Sequence, residues 1–145
     1  MPFDTVDKLL FDSSVCGIIE FRIYSKNLYG ITDMNQEAEK ITGYDINEIL
    51  SLSHKIDISK MIYDEDVNIV INEIASLVLT GKSEKIEYRI ISRSGDIHWI
   101  SGKFILVENT DFVESAPSCI INSFVCIDDR KEAEQNLRHS ATAYN

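Results

Sequence analysis

The apolar positions of this chain switch between a period of two and a period near 3.6, and each switch marks an element boundary. Val6, Leu9 and Leu10 share one helical face over residues 4–11, with Asp4 able to cap the first turn and Asp7 favouring its positive end. Residues 15–24 are rich in isoleucine and aromatics and read as a strand, and Ser25-Lys26-Asn27 turns it into a second strand over 28–34, a hairpin. Residues 51–60 are polar and irregular, with half-turns near 58–63. Asp64-Glu65-Asp66 opens what reads as the longest helix, striped by Val67, Val70, Ile71, Ile74, Leu77 and Val78, widened by Ile69, Ala75 and Leu79, and closed by Gly81. Residues 84–92 alternate, with Ile86, Tyr88 and Ile90 facing one way and Glu87 and Arg89 the other. Ser94-Gly95-Asp96 turns into a strand over 97–108. An acidic loop over 109–117 precedes a strand over 118–127 that is apolar on both faces. Asp128-Asp129 then starts a charged helix running towards His139.

The densest local information lies in residues 34–50. Asn35 is a good N-cap, Ala38 and Ile41 share a face, and Gly43 suits the left-handed C′ position that ends a helix. Asp45 opens a second helix, Glu48 completes a capping box, and Tyr44 and Ile49 have the spacing of a hydrophobic staple. Ile46, Ile49 and Leu50 form the apolar face of this second helix. A corner of this kind either walls a small cavity or caps a small core.

The order helix, two strands, several helices, three strands, helix predicts an α+β domain. Its sheet has five antiparallel strands, with the short helices and the long helix on one face. Flanking helices are expected at both ends, dividing the chain into residues 1–14, a domain over 15–128 and an outgoing helix over 129–145. The second sheet face needs cover too, from the first helix or from a second subunit.

At 145 residues and 44% hydrophobic content the chain is one domain's worth with a sizeable core. A net charge of −10 argues against nucleic acid or an anionic membrane as a direct partner. No apolar run approaches the ~18 residues of a membrane span. The start lacks the basic and apolar regions of a signal peptide. Cys16, Cys119 and Cys126 are odd in number and lack close spacing. They read as reduced core residues of a cytoplasmic protein, and no metal site is expected from them.

Asn35, Ala38, Gly43, Tyr44, Glu48 and Ile49 together resemble the signature "N-x-x-A-x-x-x-x-G-Y-x-x-x-E-I/L" of the PAS family. The resemblance extends over most of the chain. Tyr63-Asp64-Glu65-Asp66 is similar to the family's "H-P-E-D". Glu87-Tyr88-Arg89, Gly95 and Trp99-Ile100 are similar to "E-Y-R … D-G … W-V". Asp129-Arg130-Lys131 with Glu134 and Leu137 is similar to the end of "D-I-T-E-R-K-x-x-E-x-x-L". Two departures stand out: Cys126 replaces the Asp of that last motif with Asp128 in its Thr position, and Asn122 stands where the family often has Gly. In the family the replaced Asp couples the last strand to the outgoing helix. Asp128, Asp129 and Arg130 are therefore the candidate relay residues here, with Asp128 or Asp129 capping the helix.

No catalytic constellation is present: there is no G-x-S-x-G, P-loop or H-E-x-x-H, and His54, His98 and His139 accompany no nucleophile motif. The expectation is a chain that is not itself an enzyme. The resemblance implies a sensory and dimerisation module that relays a signal to a linked effector, such as a histidine kinase or diguanylate cyclase. A small molecule could occupy a cavity between the helices and the inner sheet face, with Tyr44, Tyr88, Trp99 and Phe124 as wall candidates. The alternative is a flavin or haem sensor. Flavin photosensors of the family carry an Asn-Cys-Arg-Phe-Leu-Gln segment where this chain has Ser51-Leu52-Ser53-His54-Lys55, and the long helix has no histidine for haem. Both features argue against these cofactors, and none is required. A homodimer is expected through the first helix and the outer sheet face. The last helices would run side by side along a thin stripe of Ala133, Leu137 and Ala141.

Overall fold

The computed structural model describes residues 15–24, 28–51, 55–57, 60–108 and 118–143. The helix expected over 4–11, the turn at 25–27, His54 and the loop over 109–117 lie outside the described residues, as do the side chains of His139 and Ala141. In chain order the elements are β1 (Gly17–Ile23), β2 (Leu28–Met34), α1 (Gln36–Thr42), α2 (Ile46–Ser51), β3 (Lys55–Asp57), a 3-10 turn (Asp64–Asp66), α3 (Val67–Thr80), β4 (Ile86–Ile91), β5 (Ile97–Glu108), β6 (Cys119–Cys126) and α4 (Asp128–Ala143).

The five expected strands form one antiparallel sheet, ordered β3-β2-β1-β6-β5-β4 with the short β3 added at the edge beside β2. β3 has three residues, two of them charged, in a segment whose sequence read as irregular. The first and last long strands, β1 and β6, are neighbours at the centre of the sheet. On the inner face Phe21, Ile31, Tyr88, Ile100, Phe104 and Phe124 meet Val70, Ile74 and Leu77 of α3, Ala38 of α1 and Ile49 of α2. On the opposite face Ile105 and Val125 stay 47% and 37% exposed, so the sheet is two-sided in its apolar content.

The corner after β2 follows local chemistry. Asn35 Oδ1 accepts from Ala38 N–H at 2.9 Å, capping α1. Gly43 takes φ +76° and ends α1, its N–H donating to the Glu39 carbonyl. Asp45 Oδ1 accepts from Asn47 N–H at the start of α2. The capping box is modified: Ile46 N–H donates to Glu39 Oε2 at 2.9 Å, while the Glu48 carboxylate pairs with Arg93 at 2.8 Å. Glu48 is drawn out of its local role by a cation that the fold brings to the same spot.

Asn35 does more than cap. Its Oδ1 also accepts from Ile18 N–H at 2.8 Å, and its Nδ2 donates to the Cys16 carbonyl at 2.8 Å. This fully buried carboxamide therefore stitches β1 to α1.

The acidic run before α3 is also reassigned. Asp66 makes no side-chain cap; it is buried and faces Arg89 on β4. Its Oδ2 accepts from Arg89 N–H at 2.8 Å and Nε–H at 2.9 Å, and its Oδ1 accepts from the terminal guanidinium nitrogen at 2.8 Å. The helix read as the longest, α3, is shorter than α4, at 14 residues against 16.

Asn35→Ala removes the partner of two N–H groups, one buried and one half-buried, and of one carbonyl, and should lower stability by about 3 kcal/mol or more. Gly43→Val forces a β-branched residue to φ +76° and should cost about 1–2 kcal/mol. Denaturant melts of both variants check the ranking. For Asp66 the Arg89 hydrogen bonds hold the carboxyl below its ordinary value of 3.8, against the opposing effect of burial. A depressed folded pKa means that the stabilisation is fully present above the unfolded value and is lost as pH falls through the folded one. Acid unfolding below about pH 4 should therefore be shallower in Asp66→Asn than in wild type, and that variant should be less stable at pH 7. Melts followed from pH 7 to pH 2 read both effects.

Candidate functional site

Between α3, the α1 corner and the inner sheet face lies a cavity of about 80 Å³. Ile19, Ile31, Val70 and Ile74 give it apolar walls, and Tyr88, Asn122 and Phe124 line it from β4 and β6. The antiparallel register brings the last three together, because Phe124 and Asn122 of β6 sit opposite Gly102 and Phe104 of β5, and Tyr88 of β4 sits opposite Ile100.

The polar end of the cavity is small and well defined. Asn122 Nδ2 donates to the Tyr88 hydroxyl at 3.0 Å, and both groups are buried. Asn122 Oδ1 is buried with no hydrogen-bond partner among the described residues. Gly102 makes room for this pair: a Cβ there would stand 2.9 Å from the Tyr88 hydroxyl and 3.2 Å from Asn122 Oδ1. Burial pushes the Tyr88 phenol well above its usual range and the Tyr29 phenol, also in the lining, up to about 12. Both are neutral at physiological pH and able to donate. The cavity thus offers a largely apolar body with the Asn122 acceptor and the Tyr88 hydroxyl side by side, and with Tyr29 and Thr42 also in its lining.

Of the expected wall residues, Tyr88 and Phe124 line the cavity, while Tyr44 and Trp99 do not. Tyr44 is half-buried at the corner, packed against the outside of the core. Trp99 stands opposite Arg89 in the sheet, on the face away from Ile100 and the cavity. Asn122 also lines the cavity, although its side chain is not aromatic. The available signal was a polar residue at the same strand parity as Phe124, in an otherwise apolar run.

Among the described residues, no cysteine or histidine belongs to this lining. A flavin or haem needs a site on the scale of roughly 300–1,000 Å³, so the cavity fits neither without opening the core. The lining offers no thiol for a flavin adduct and no imidazole for an iron.

A second constellation joins the sheet to α4. Asp128 Oδ1 accepts from Trp99 N–H at 2.7 Å, and Asp128 Oδ2 lies 2.7 Å from His98 Nδ1. Asp128 therefore reaches back to β5. These bonds and His98 hold its carboxyl below the ordinary range, although burial opposes them as the largest single influence. Ile127 N–H donates to the Trp99 carbonyl at 2.9 Å. Two cations lie over the Trp99 ring, Lys131 at 4.5 Å and Arg89 at 4.9 Å from its centroid. Glu87 on β4 pairs with Lys131 at 2.8 Å and with Arg130, and these two cations depress its carboxyl pKa, Lys131 most. Of the relay candidates, Asp128 and Arg130 thus touch the sheet, while Asp129 is exposed. His98, Glu87 and Lys131 belong to the same junction, although the sequence placed Glu87 and Lys131 only in motif matches and named none of the three as a relay residue.

Against known proteins, a family model described as the PAS fold matches residues 31–116. No curated protein sequence matches. Among solved structures, a sensory box histidine kinase/response regulator from Burkholderia thailandensis superposes with a TM-score of 0.65 at 22% identity, covering 94% of this chain and 95% of that one. An RNA-binding light-oxygen-voltage receptor gives a TM-score of 0.69 at 16% identity, over 95% of this chain but 37% of that one. The PAS domain of a LuxR-family transcriptional regulator from Burkholderia thailandensis, solved in complex with ethanol, gives 0.60 at 16% identity over 86% and 98%.

Proposed function

The chain belongs to the PAS fold family, and on that premise we propose that it is a non-catalytic sensory and dimerisation module whose input is a small hydroxyl-bearing molecule in the internal cavity. Its output is the packing of α4, which leads into a covalently linked effector such as a histidine kinase or diguanylate cyclase. The observation that carries this reading is the polar end of the cavity. Asn122 Oδ1 has no partner among the described residues, the Tyr88 hydroxyl already accepts and can still donate, and apart from Tyr29 and Thr42 the rest of the lining is apolar. A small alcohol supplies the missing donor to Asn122 and the missing acceptor to Tyr88, while its carbon atoms displace nothing polar. The ethanol complex of the LuxR-family domain supports the class of ligand.

The route to the output is short. Phe124 lines the cavity four residues before Asp128 on the same chain, and β6 is hydrogen-bonded along its length to β5, which carries Trp99. A shift of Phe124 on occupancy is thus passed to a strand whose end is tied to α4. The exposed apolar positions Ile105, Val107 and Val125 on the outer face, with Leu137 71% exposed on α4, support a dimer through that face and along the outgoing helices.

Trp99 is the single tryptophan, so its emission reports the junction directly. Titration of the 145-residue chain with ethanol, propanol and propanediol should give a saturable change in Trp99 emission. Asn122→Leu should abolish binding measured by calorimetry. Lys131→Ala should keep binding while blunting the optical change, since it removes one of the two cations on the ring. Sedimentation should give a dimer that Leu137→Asp weakens. Emission that never saturates with any of these compounds overturns the ligand, a monomer at the highest concentrations overturns the assembly, and flavin or haem bands in the freshly purified protein favour a cofactor sensor instead.

A further inference from the structure

A cluster of metal-ligand side chains stands apart from the cavity, at the hinge where the sheet becomes the outgoing helix. His98 on β5, Cys126 at the end of β6 and Asp128 at the start of α4 each present one donor atom, and these atoms all lie within 4.8 Å of one another. The three come from three different elements, and the frame beneath them is hydrogen-bonded. Ile127, between Cys126 and Asp128, donates its N–H to the Trp99 carbonyl at 2.9 Å, and Trp99 N–H donates to Asp128 Oδ1 at 2.7 Å. The second carboxylate oxygen is left pointing at His98 Nδ1, 2.7 Å away. The Cys126 side chain is exposed, and the His98 and Asp128 side chains are 31% and 39% exposed, so a cation can enter from solvent and keep water in its remaining positions.

We propose that His98, Cys126 and Asp128 form a Zn²⁺ site that clamps β5, β6 and α4 together, a second input to the domain independent of the cavity. The donor set decides the cation. One imidazole nitrogen, one thiolate and one carboxylate suit a borderline ion of tetrahedral habit, whereas Mg²⁺ and Ca²⁺ select all-oxygen sites. Donors at Zn–N, Zn–O and Zn–S distances stand roughly 3.3–3.8 Å apart around a tetrahedron. Partly exposed side chains within 4.8 Å reach that spacing by small rotations. On binding, the Cys126 S–H bond breaks, its proton goes to solvent and the sulfur electron pair forms the S–Zn bond. The imidazole moves its proton to Nε2, and Nδ1 then shares the cation with Asp128 in place of a hydrogen bond. A thiolate and a carboxylate neutralise the dication. The neighbouring Arg130 and Lys131 are already engaged by Glu87 and do not leave the site cationic. The sequence concealed this cluster because His98 lies 30 residues before Asp128 and only the β5–β6 register closes the distance.

The test uses Co²⁺ as a spectroscopic stand-in on the full 145-residue chain under a non-thiol reductant. One equivalent should produce visible d–d absorption together with a near-ultraviolet thiolate-to-cobalt charge-transfer band, and one equivalent of Zn²⁺ should erase both. Cys126→Ser and Cys126→Ala should lose the charge-transfer band, and His98→Gln should weaken binding about tenfold or more while the fold, checked by circular dichroism, is kept. Alcohol binding in the cavity should persist in these variants, so the two inputs fail separately. Absence of the band in wild type, or its persistence in both Cys126 variants, overturns the site.

Discussion

One buried carboxamide holds the two halves of the domain in register. Asn35 sits where β2 ends and α1 begins, and its side chain bonds the backbone of β1 as well as the first turn of α1. Its own N–H donates to the Ile18 carbonyl, so strand pairing and helix capping share one residue. The direction in which α1 leaves the sheet follows from this. So does the position of Thr42 at the end of α1, which lines the cavity and whose hydroxyl bonds back to Ala38. An aspartate in that place would keep the acceptors but lose the donor to Cys16, and a serine would not reach both elements. The interaction is therefore a geometric constraint on the cavity as much as a contribution to stability.

A second chain of contacts crosses the sheet on its other side. The Arg89 guanidinium is held by Asp66 at the start of α3, lies 4.1 Å from the Tyr63 ring centroid and faces Trp99 from the neighbouring strand. Trp99 is then covered by Lys131 of α4. Asp66 is buried and satisfied by three hydrogen bonds, which offset its desolvation and fix the guanidinium plane. The exposed pairs of Glu87 with Arg130 and Lys131 act in high dielectric and add little to stability on their own. Their part is orientational: they set which face of α4 lies on Trp99. Helix α4 is charged and has little apolar surface of its own, so its docking depends on this polar junction more than on burial.

What the sequence made legible was local. Asn35, Gly43 and Gly81 announced their roles because capping and left-handed termination depend on a residue and its immediate neighbours. The strand alternation around Tyr88 was equally clear. Illegible features were those set by pairing between distant segments. Asp66 looked like a helix-dipole residue because its partner lies 23 residues away. Trp99 looked like a cavity residue because β5 is apolar at both parities: Ile97, Trp99, Ile105 and Val107 alternate with Ile100, Phe104 and Leu106. Nothing within that strand says which set faces inward. The register against β4 decides it, placing Ile100 opposite Tyr88 and Trp99 opposite Arg89.

Asn122 shows how such a decision shapes the chemistry of the cavity. An unpaired carboxamide oxygen in an apolar pocket costs about 1–3 kcal/mol, which a hydrophobic residue of similar volume would avoid. On the proposed alcohol input the cost would fall only on the empty state, since a bound donor would remove it. The same group penalises a purely hydrocarbon occupant, which would leave the oxygen buried and unsatisfied, and the small cavity excludes larger molecules that could reach it. On the proposed alcohol input, selectivity for a compact hydroxyl-bearing molecule would follow from two features acting together, the confined apolar volume and the Asn122 acceptor at its polar end. Gly102 completes the arrangement, because any side chain there would close on both the Tyr88 hydroxyl and Asn122 Oδ1 and fill the polar end with protein.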